Sequence, residues 1–263
     1  NESFRLLGLD YVYLCFDVNE ETLPAAVAGL KTCGIRGFNL TMPNKNKIVE
    51  LLDELSPEAQ LIGAVNTVLN DNGKLIGYNT DGYGFMQSVR DAGHDITGKN
   101  ITVMGVGGAS MAICAQSALD GAASVHIFAR HTSRYWNRTQ KFAENLSAKT
   151  GCQVCLFDND DHTALRDSIA QSYLLINATS VGMVPDIDDT IIKDTSLFHP
   201  ELVVADVVYE PQETRLLREA KAAGCQTFNG MYMLLHQGAK AFQIWTGQEM
   251  PVSVIKEKYF SVK

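Results

Sequence analysis

The run Asn39-Leu40-Thr41-Met42-Pro43-Asn44-Lys45-Asn46-Lys47 joins an apolar segment to an amphipathic one, which places Lys45 between a strand end and a helix start. In a parallel sheet that is the carboxyl edge, where ligands bind. A lysine there feels the positive end of the following helix, which disfavours its charged form and eases proton exchange near neutral pH. Most loop lysines are simply solvated, so Lys45 needs neighbours before it counts as an acid or base. The next segment supplies them. Ala64–Leu69 and Lys74–Asn79 flank Asp71-Asn72-Gly73, and Asn72-Gly73 is a strong two-residue hairpin turn. With that turn Asp71 opposes Lys74, and the register runs outward to set Asn66 opposite Asn79. Asp81 lies two residues beyond Asn79 and is expected on the same face, with Thr80 between. An amide and a carboxylate then converge on one surface, although Asn and Asp serve equally well as turn and capping residues.

A second chemical signal is Met104-Gly105-Val106-Gly107-Gly108-Ala109, which follows one predicted strand and opens one predicted helix. Glycines in that context permit a tight turn and let backbone N–H groups approach a pyrophosphate, while Ala109 lets helix and strand pack closely. The spacing departs from strict G-x-G-x-x-G. Where an acidic residue would hold a ribose hydroxyl, the chain reads Phe128-Ala129-Arg130-His131-Thr132-Ser133-Arg134. Arg130, with Thr132, Ser133 or Arg134 nearby, suits a 2′-phosphate, so NADP is favoured over NAD. Stacking of Arg130 on adenine is the alternative, and it is compatible with either cofactor.

These signals need elements to hold them. Tyr11–Phe16 is predicted as a strand, Thr22–Cys33 as a helix closed by Gly34, Gly37–Thr41 as a strand and Lys47–Leu55 as a helix. Strand, helix, strand, helix implies a mainly parallel sheet, to which the hairpin is added. After Gly98 a second αβ series begins, with strands at Ile101–Met104, Val125–Ala129, Val154–Phe157, Tyr173–Ile176, Leu202–Val208 and Gln226–Phe228. Helices are expected at Ala109–Leu119 and Tyr135–Ala148. The reading is an α/β protein of two domains. One is an N-terminal, mainly parallel α/β substrate domain, and the other a doubly wound, Rossmann-like NAD(P) domain. A long helix, Met231–Thr246, is expected to return to the first domain. Residues 1–97 with 233–263 form the substrate domain and residues 98–232 the dinucleotide domain.

With 263 residues, 46% of them hydrophobic and 20% charged, the chain can bury one large core or two modest ones. A net charge of −8 argues against affinity based on nucleic-acid phosphates. The longest uncharged stretch, Asn100–Leu119, is interrupted by Gly105, Gly107, Gly108, Ser110 and Gln116, which suits a buried strand and a small-residue helix better than a membrane span. Asn1–Leu9 carries Glu2 and Arg5 and no long apolar run, so no secretion signal is read there. The six cysteines form no ladder, and Cys152 and Cys155 make a solitary C-x-x-C. His94, His126, His162 and His199 have no metal-site spacing. A reducing, cytoplasmic setting is expected, with no metal, no nucleic-acid partner and no membrane, and with a monomer or homodimer as the assembly.

The motifs carry a resemblance when taken together. Asn39–Lys45, Gly63-Ala64-Val65-Asn66-Thr67, Gly77-Tyr78-Asn79-Thr80-Asp81-Gly82, Gly105–Ala109, Asn177-Ala178-Thr179-Ser180-Val181-Gly182-Met183 and Leu235-His236-Gln237-Gly238-Ala239 resemble, in order, the successive motifs of the shikimate dehydrogenase family. Met-Pro-Asn-Lys and the Trp245-Thr246-Gly247 ending are most similar to its quinate/shikimate branch. The resemblance implies NAD(P)-dependent interconversion of 3-dehydroshikimate and shikimate, with quinate as a further substrate, in aromatic amino-acid biosynthesis. It implies Lys45 and Asp81 as the catalytic pair, and Tyr13, Thr41, Asn66, Thr80 and Gln237 as contacts to the polyol. Val106, Gly107, Gly108, Ala109 and Arg130 would hold the dinucleotide, with Ser180, Tyr209 and Gly230 beside the nicotinamide. Two departures stand out. The family's Ser-x-Ser carboxylate anchor does not precede Asn1-Glu2-Ser3-Phe4, so the chain is expected to lack its natural beginning, on the order of 20 residues. The branch's usual aspartate after the second Rossmann strand is replaced by His131, Thr132 and Ser133. A dehydrogenase of another small substrate, or a non-catalytic redox sensor on the same fold, would not need Lys45, Asn66 and Asp81 together.

Overall fold

The computed structural model describes residues 1–260, and the chain divides into two units, Asn1–Gly84 with Leu235 onward, and Phe85–Leu234. In the first, α1 (Glu2–Leu6) is followed by an extended stretch and by α2 (Leu23–Thr32), which carries Pro24 in its first turn and buries Leu23 and Val27. Next come β1 (Gly37–Asn39), the short α3 (Asn44–Lys47) running into a 3₁₀ turn at Ile48–Leu51, β2 (Glu54–Leu55), and α4 (Pro57–Ile62). Ser56 caps α4 by accepting from the Ala59 N–H at 3.3 Å, and Gly63 ends it with φ of 67°.

The hairpin forms with the register expected of its turn. Strands β3 (Thr67–Asp71) and β4 (Lys74–Tyr78) pair antiparallel from Asp71↔Lys74 to Thr67↔Tyr78, with Asn72 and Gly73 at φ of 52° and 92°. The sheet is ordered β1-β3-β4-β2, and β1 also pairs antiparallel with β3, through Gly37↔Leu69 and Asn39↔Thr67. Only β2 and β4 are parallel. The first sheet is therefore mixed and mostly antiparallel, not mainly parallel, because the hairpin inserts both its strands between β1 and β2. The helix expected at Lys47–Leu55 stops at Leu51, since the Asp53 and Ser56 N–H groups donate to Leu75 and Gly77 carbonyls and draw Glu54–Leu55 into the sheet. Tyr11–Phe16 is not a strand. Its backbone pairs with no described strand, and the Asn1 side-chain amide takes both backbone groups of Tyr13, at 2.7 and 2.9 Å. The core of this unit gathers Leu23, Val27, Ile48, Ala59, Val65, Val68 and Leu75.

Helix α5 (Asp81–Asp91) leads into the second unit. There β5 (Asn100–Met104), α6 (Gly108–Leu119), β6 (Ser124–Ala129), α7 (Trp136–Thr150), β7 (Gln153–Asp158), α8 (His162–Gln171), β8 (Leu174–Asn177), β9 (Val203–Asp206), α9 (Arg215–Ala222) and β10 (Gln226–Phe228) follow in turn. All six strands are parallel, ordered β10-β9-β8-β5-β6-β7. This is the doubly wound arrangement, and β5 and β8 flank its switch point. The unit begins at Phe85, ahead of the boundary after residue 97 expected from sequence. The middle of α5 packs on α6 and β10, through Ser117 on the Met86 sulfur at 3.8 Å and Phe85 against the Phe228 ring.

Helix α10 (Met231–Thr246) and α11 (Val252–Tyr259) close the chain's described part. The C-terminal part of α10 belongs to the first unit. The Trp245 indole donates to the Val68 carbonyl at 2.9 Å, and Arg36 Nε donates to the Trp245 carbonyl at 2.9 Å. A Cβ at Gly37 would collide with both that indole and the Val68 carbonyl, so only glycine fits there. Among the described residues no helix is long and apolar enough to cross a membrane.

His94 sits nearly buried after α5, its Nδ1 2.9 Å from the Tyr173 hydroxyl and its ring stacked on Phe228. Burial pushes its pKa below the usual histidine range. The unfolded chain therefore binds a proton here before the folded one does. Its contribution to stability is full above about pH 6.5 and is lost as pH falls from there through the depressed folded value. Urea midpoints at pH 7.5 and 5.5 are expected to differ less in His94→Gln than in the parent chain; an unchanged difference would assign the acid sensitivity elsewhere.

Candidate active site

Lys45 Nζ lies 2.7 Å from Asp81 Oδ2, with the two side chains 21% and 11% exposed. The fold brings together residues from three segments to make this pair. The Lys45 carbonyl accepts from the Val65 N–H at 2.8 Å, and the Leu40 N–H donates to the Asn66 carbonyl at 2.9 Å, which fastens the lysine loop to the chain carrying Asn66. Asn44, 7% exposed, ties the same loop to the Val18 carbonyl at 2.7 Å. Asp81 is the first residue of α5, and its N–H donates to Asn79 Oδ1 at 3.1 Å. Asn79 is thus a turn residue that starts the helix and donates to the Ala64 carbonyl at 3.1 Å. The strand does not run on through Thr80, so helix geometry aims Asp81, not the alternation of the hairpin.

Asn66 organises the pair. Its Oδ1 accepts the Thr80 N–H at 2.9 Å, so its Nδ2 faces away from that backbone group and donates to Thr80 Oγ1 and Asp81 Oδ1, both at 2.9 Å. Each Asp81 oxygen then has a donor, one amide and one ammonium. Gln237 Oε1 on α10 lies 3.5 Å from the same Nδ2, which places it in the cluster. Tyr13 is 38% exposed, and its hydroxyl donates to Asn39 Oδ1 at 3.0 Å; burial pushes that phenol's pKa up, with Cys15 adding to the effect. Thr41 is exposed and shares the lysine loop, its carbonyl accepting the Asn44 N–H at 3.0 Å. Asn39 and Thr67 were not among the sequence-derived contacts. Asn39↔Thr67 is a cross-strand pair of β1 and β3, visible only once the antiparallel register is known.

In the second unit the glycine loop lies at the carboxyl end of β5. Gly105 has φ of 111°, and a Cβ there would stand 2.8 Å from Thr179 Cγ2 and 2.9 Å from the Ala178 carbonyl oxygen, so the tight turn demands glycine. Nothing lies within 4 Å of a Cβ built on Gly107 or Gly108, both exposed. Open space over the start of a 12-residue helix, whose first N–H groups have no intrahelical partner, fits a pyrophosphate. Val106 and Ala109 complete the loop, and Ser110 Oγ donates to the Gly105 carbonyl at 2.6 Å. Arg130 is exposed just after β6, whereas Arg134 is occupied over the Tyr135 ring at 4.7 Å. Asp158 pairs in register with Ala129, and its Oδ1 accepts the His131 N–H at 3.3 Å. The parallel sheet thus brings a carboxylate beside a loop that has none in its own sequence.

Ser180 and Tyr209 are exposed on the loops after β8 and β9, and Gly230 is buried against the Val207 carbonyl. One buried carboxylate ties those loops together. Asp206, fully buried, accepts from Asn177 Nδ2 at 3.0 Å, the Val208 N–H at 2.9 Å and Thr214 Oγ1 at 2.8 Å. Burial raises its pKa against those three hydrogen bonds. Among the described residues no group of His, Cys, Asp or Glu could hold a metal ion. Burial pushes the Cys152 thiol to about 11, which makes it a poor thiolate.

A doubly wound sheet with a dinucleotide-type loop in one unit, and a lysine–carboxylate pair among amides and hydroxyls in the other, define the class of two-domain dinucleotide-dependent oxidoreductases. Family models narrow the class. That for the shikimate dehydrogenase substrate binding domain matches residues 1–68, and that for the shikimate 5′-dehydrogenase C-terminal domain matches residues 230–258. A shikimate dehydrogenase (NADP(+)) from Listeria innocua is 52% identical over 260 residues, spanning 99% of this chain and 89% of that one. A crystal structure of shikimate 5-dehydrogenase from Listeria monocytogenes in complex with shikimate and NAD is 51% identical, with a TM-score of 0.95 over 97% of this chain and 88% of that one. Quinate dehydrogenase from Corynebacterium glutamicum in complex with NAD is 31% identical, with a TM-score of 0.86 over 99% and 92%. The chain belongs to the shikimate dehydrogenase family.

Replacing Asp206 by alanine strands three buried donors at once. We expect Asp206→Ala to lower stability by about 3 kcal/mol, read as the urea midpoint at constant slope; a loss under about 1 kcal/mol would show that the network does not hold these loops.

Proposed function

We propose that the chain interconverts shikimate and 3-dehydroshikimate with NADP as the favoured cofactor and NAD as the alternative, and that Lys45 and Asp81 are its acid–base pair. The observation that carries this reading is the 2.7 Å contact of Lys45 with Asp81, held from behind by Asn66, in a chain 52% identical to a relative named for the NADP reaction. Val106, Gly107, Gly108 and Ala109 would hold the pyrophosphate on the start of α6, and Arg130 the 2′-phosphate, with Ser180, Tyr209 and Gly230 at the nicotinamide end. The bound nicotinamide supplies or accepts the hydride. In reduction Lys45, as an ammonium oriented by Asp81, gives its proton to the ketone oxygen; in oxidation the amine takes the hydroxyl proton back. Asp81 turns Nζ toward the reacting oxygen and balances its charge. Tyr13, Thr41, Asn66, Thr80 and Gln237 supply the hydroxyl and amide groups that a ring carrying several hydroxyls requires. All six cysteines are free thiols, which suits a reducing compartment, and a cytoplasmic location belongs to the same reading.

The test follows reduced-nicotinamide absorbance with shikimate and with quinate, each against NADP and NAD. Turnover of shikimate is expected, and none with any pairing would end the enzymatic reading. Lys45→Ala should lower kcat by about two orders of magnitude or more with little change in shikimate KM; a rate near that of the parent chain would remove Lys45 from the chemistry. Arg130→Ala should weaken NADP more than NAD, while Asp158→Asn should favour NADP by removing a negative charge from beside the same loop. Equal effects on both cofactors would refute the 2′-phosphate assignment.

A further inference from the structure

We propose that Thr67 is a positioning residue for the acid–base pair: its hydroxyl is the buried link in a one-way hydrogen-bond chain running from Tyr13 through Asn39 and Asn66 to Asp81. The proposal rests on the reading of Lys45 and Asp81 as the proton-exchanging groups. Two backbone groups fix the chain's direction. The Thr80 N–H can only donate, so Asn66 presents its oxygen there at 2.9 Å and its Nδ2 to Asp81 Oδ1 at 2.9 Å. The Asn66 carbonyl can only accept, so Asn39 presents its Nδ2 to it at 3.1 Å and its oxygen to the Tyr13 hydroxyl at 3.0 Å. Thr67 Oγ1 lies between the two amides, 3.0 Å from Asn39 Nδ2 and 3.0 Å from Asn66 Oδ1. Its oxygen accepts a hydrogen bond from the first, and its own O–H donates to the second. Thr67 thus adds its hydroxyl to the Thr80 N–H and the Thr80 hydroxyl, the latter at 3.2 Å, around Asn66 Oδ1, and helps hold that amide against the flip that would set an oxygen against the Asp81 carboxylate.

Thr67 cannot do this by touching a ligand, because its residue is 0% exposed, with Thr80 Oγ1 3.4 Å away on its other side. The antiparallel register places it there. Asn39↔Thr67 pairs β1 with β3, and Thr67↔Tyr78 pairs β3 with β4, so the hydroxyl stands one residue from Asn66 at the end of the central strand. Its influence on the reaction passes through Asn66 and Asp81 to Lys45.

The test is a double-mutant cycle followed at saturating shikimate and NADP. Thr67→Val deletes the hydroxyl while keeping the side chain's shape, and Thr67→Ser keeps the hydroxyl. We expect Thr67→Val to lower kcat about fivefold, the equivalent of one net hydrogen bond, with KM for both substrates little changed and with most of the rate recovered in Thr67→Ser. In a Lys45→Ala background the valine change should have no further effect, because the group it positions is gone. Thr67→Ala removes the same hydroxyl without an added methyl and gives the same reading if the valine chain does not accumulate. An unchanged kcat, a rise confined to KM, or a loss that persists undiminished beside Lys45→Ala would overturn the positioning role. A Lys45→Ala chain as fast as the parent would instead overturn the acid–base reading on which it rests.

Discussion

An ammonium and a carboxylate 2.7 Å apart, each largely withdrawn from water, are stable only when the carboxylate's other oxygen is satisfied as well. In this chain the second oxygen is held by one asparagine, and much of the first unit can be read as the means of aiming that amide. The Asn72-Gly73 turn sets the register that brings Asn66 past the end of β3, beside the start of α5. Asn79 ends the strand and starts the helix, so Asp81 arrives from the helix side. The Val65–Lys45 backbone bond carries the lysine loop to the same point. Remove the hairpin and none of these groups has a reason to meet.

The glycine loop of the second unit is a different electrostatic device, made of backbone groups. A phosphate needs donors and positive potential, yet the chain carries a net charge of −8. A helix start under exposed glycines provides both without a cationic side chain. The loops on the same sheet edge are held by a buried carboxylate, Asp206, satisfied by an amide, a hydroxyl and a backbone N–H. Three donors offset the burial of one charge, and they come from three successive segments, so the network also fixes their spacing.

The elements were unevenly legible. The six parallel strands were readable because a buried parallel strand is a continuous apolar run, and each was bounded by glycine or a polar cluster. Helix α8, with His162, Arg166 and Asp167 along it, has too little apolar periodicity to stand out. Tyr11–Phe16 has the composition of a strand, but a strand exists only where another pairs with it, and composition does not record the partner. The helix expected at Lys47–Leu55 failed for the converse reason: two backbone bonds to β4 outweigh a good helical pattern in its last residues. The candidate site was legible in its residues and not in its wiring. Lys45, Asn66 and Asp81 stand in motifs, and so do Asn39 and Thr67, but no motif records that these last two side chains meet, because that depends on the β1–β3 register.

Sequence alone determined the turn at Asn72-Gly73, the register that follows from it, the dinucleotide loop, and the residue types able to exchange a proton and hold a phosphate. These are local properties, set by φ, by side-chain chemistry and by spacing along one or two neighbouring strands. Tertiary structure alone decided that the first sheet is mostly antiparallel, that Asp158 lies beside the Arg130 loop, and that Thr67 stands between two amides. Each of those facts depends on which strand lies next to which. Hydrogen bonding across a sheet joins residues whose distance in sequence carries no information about their distance in space.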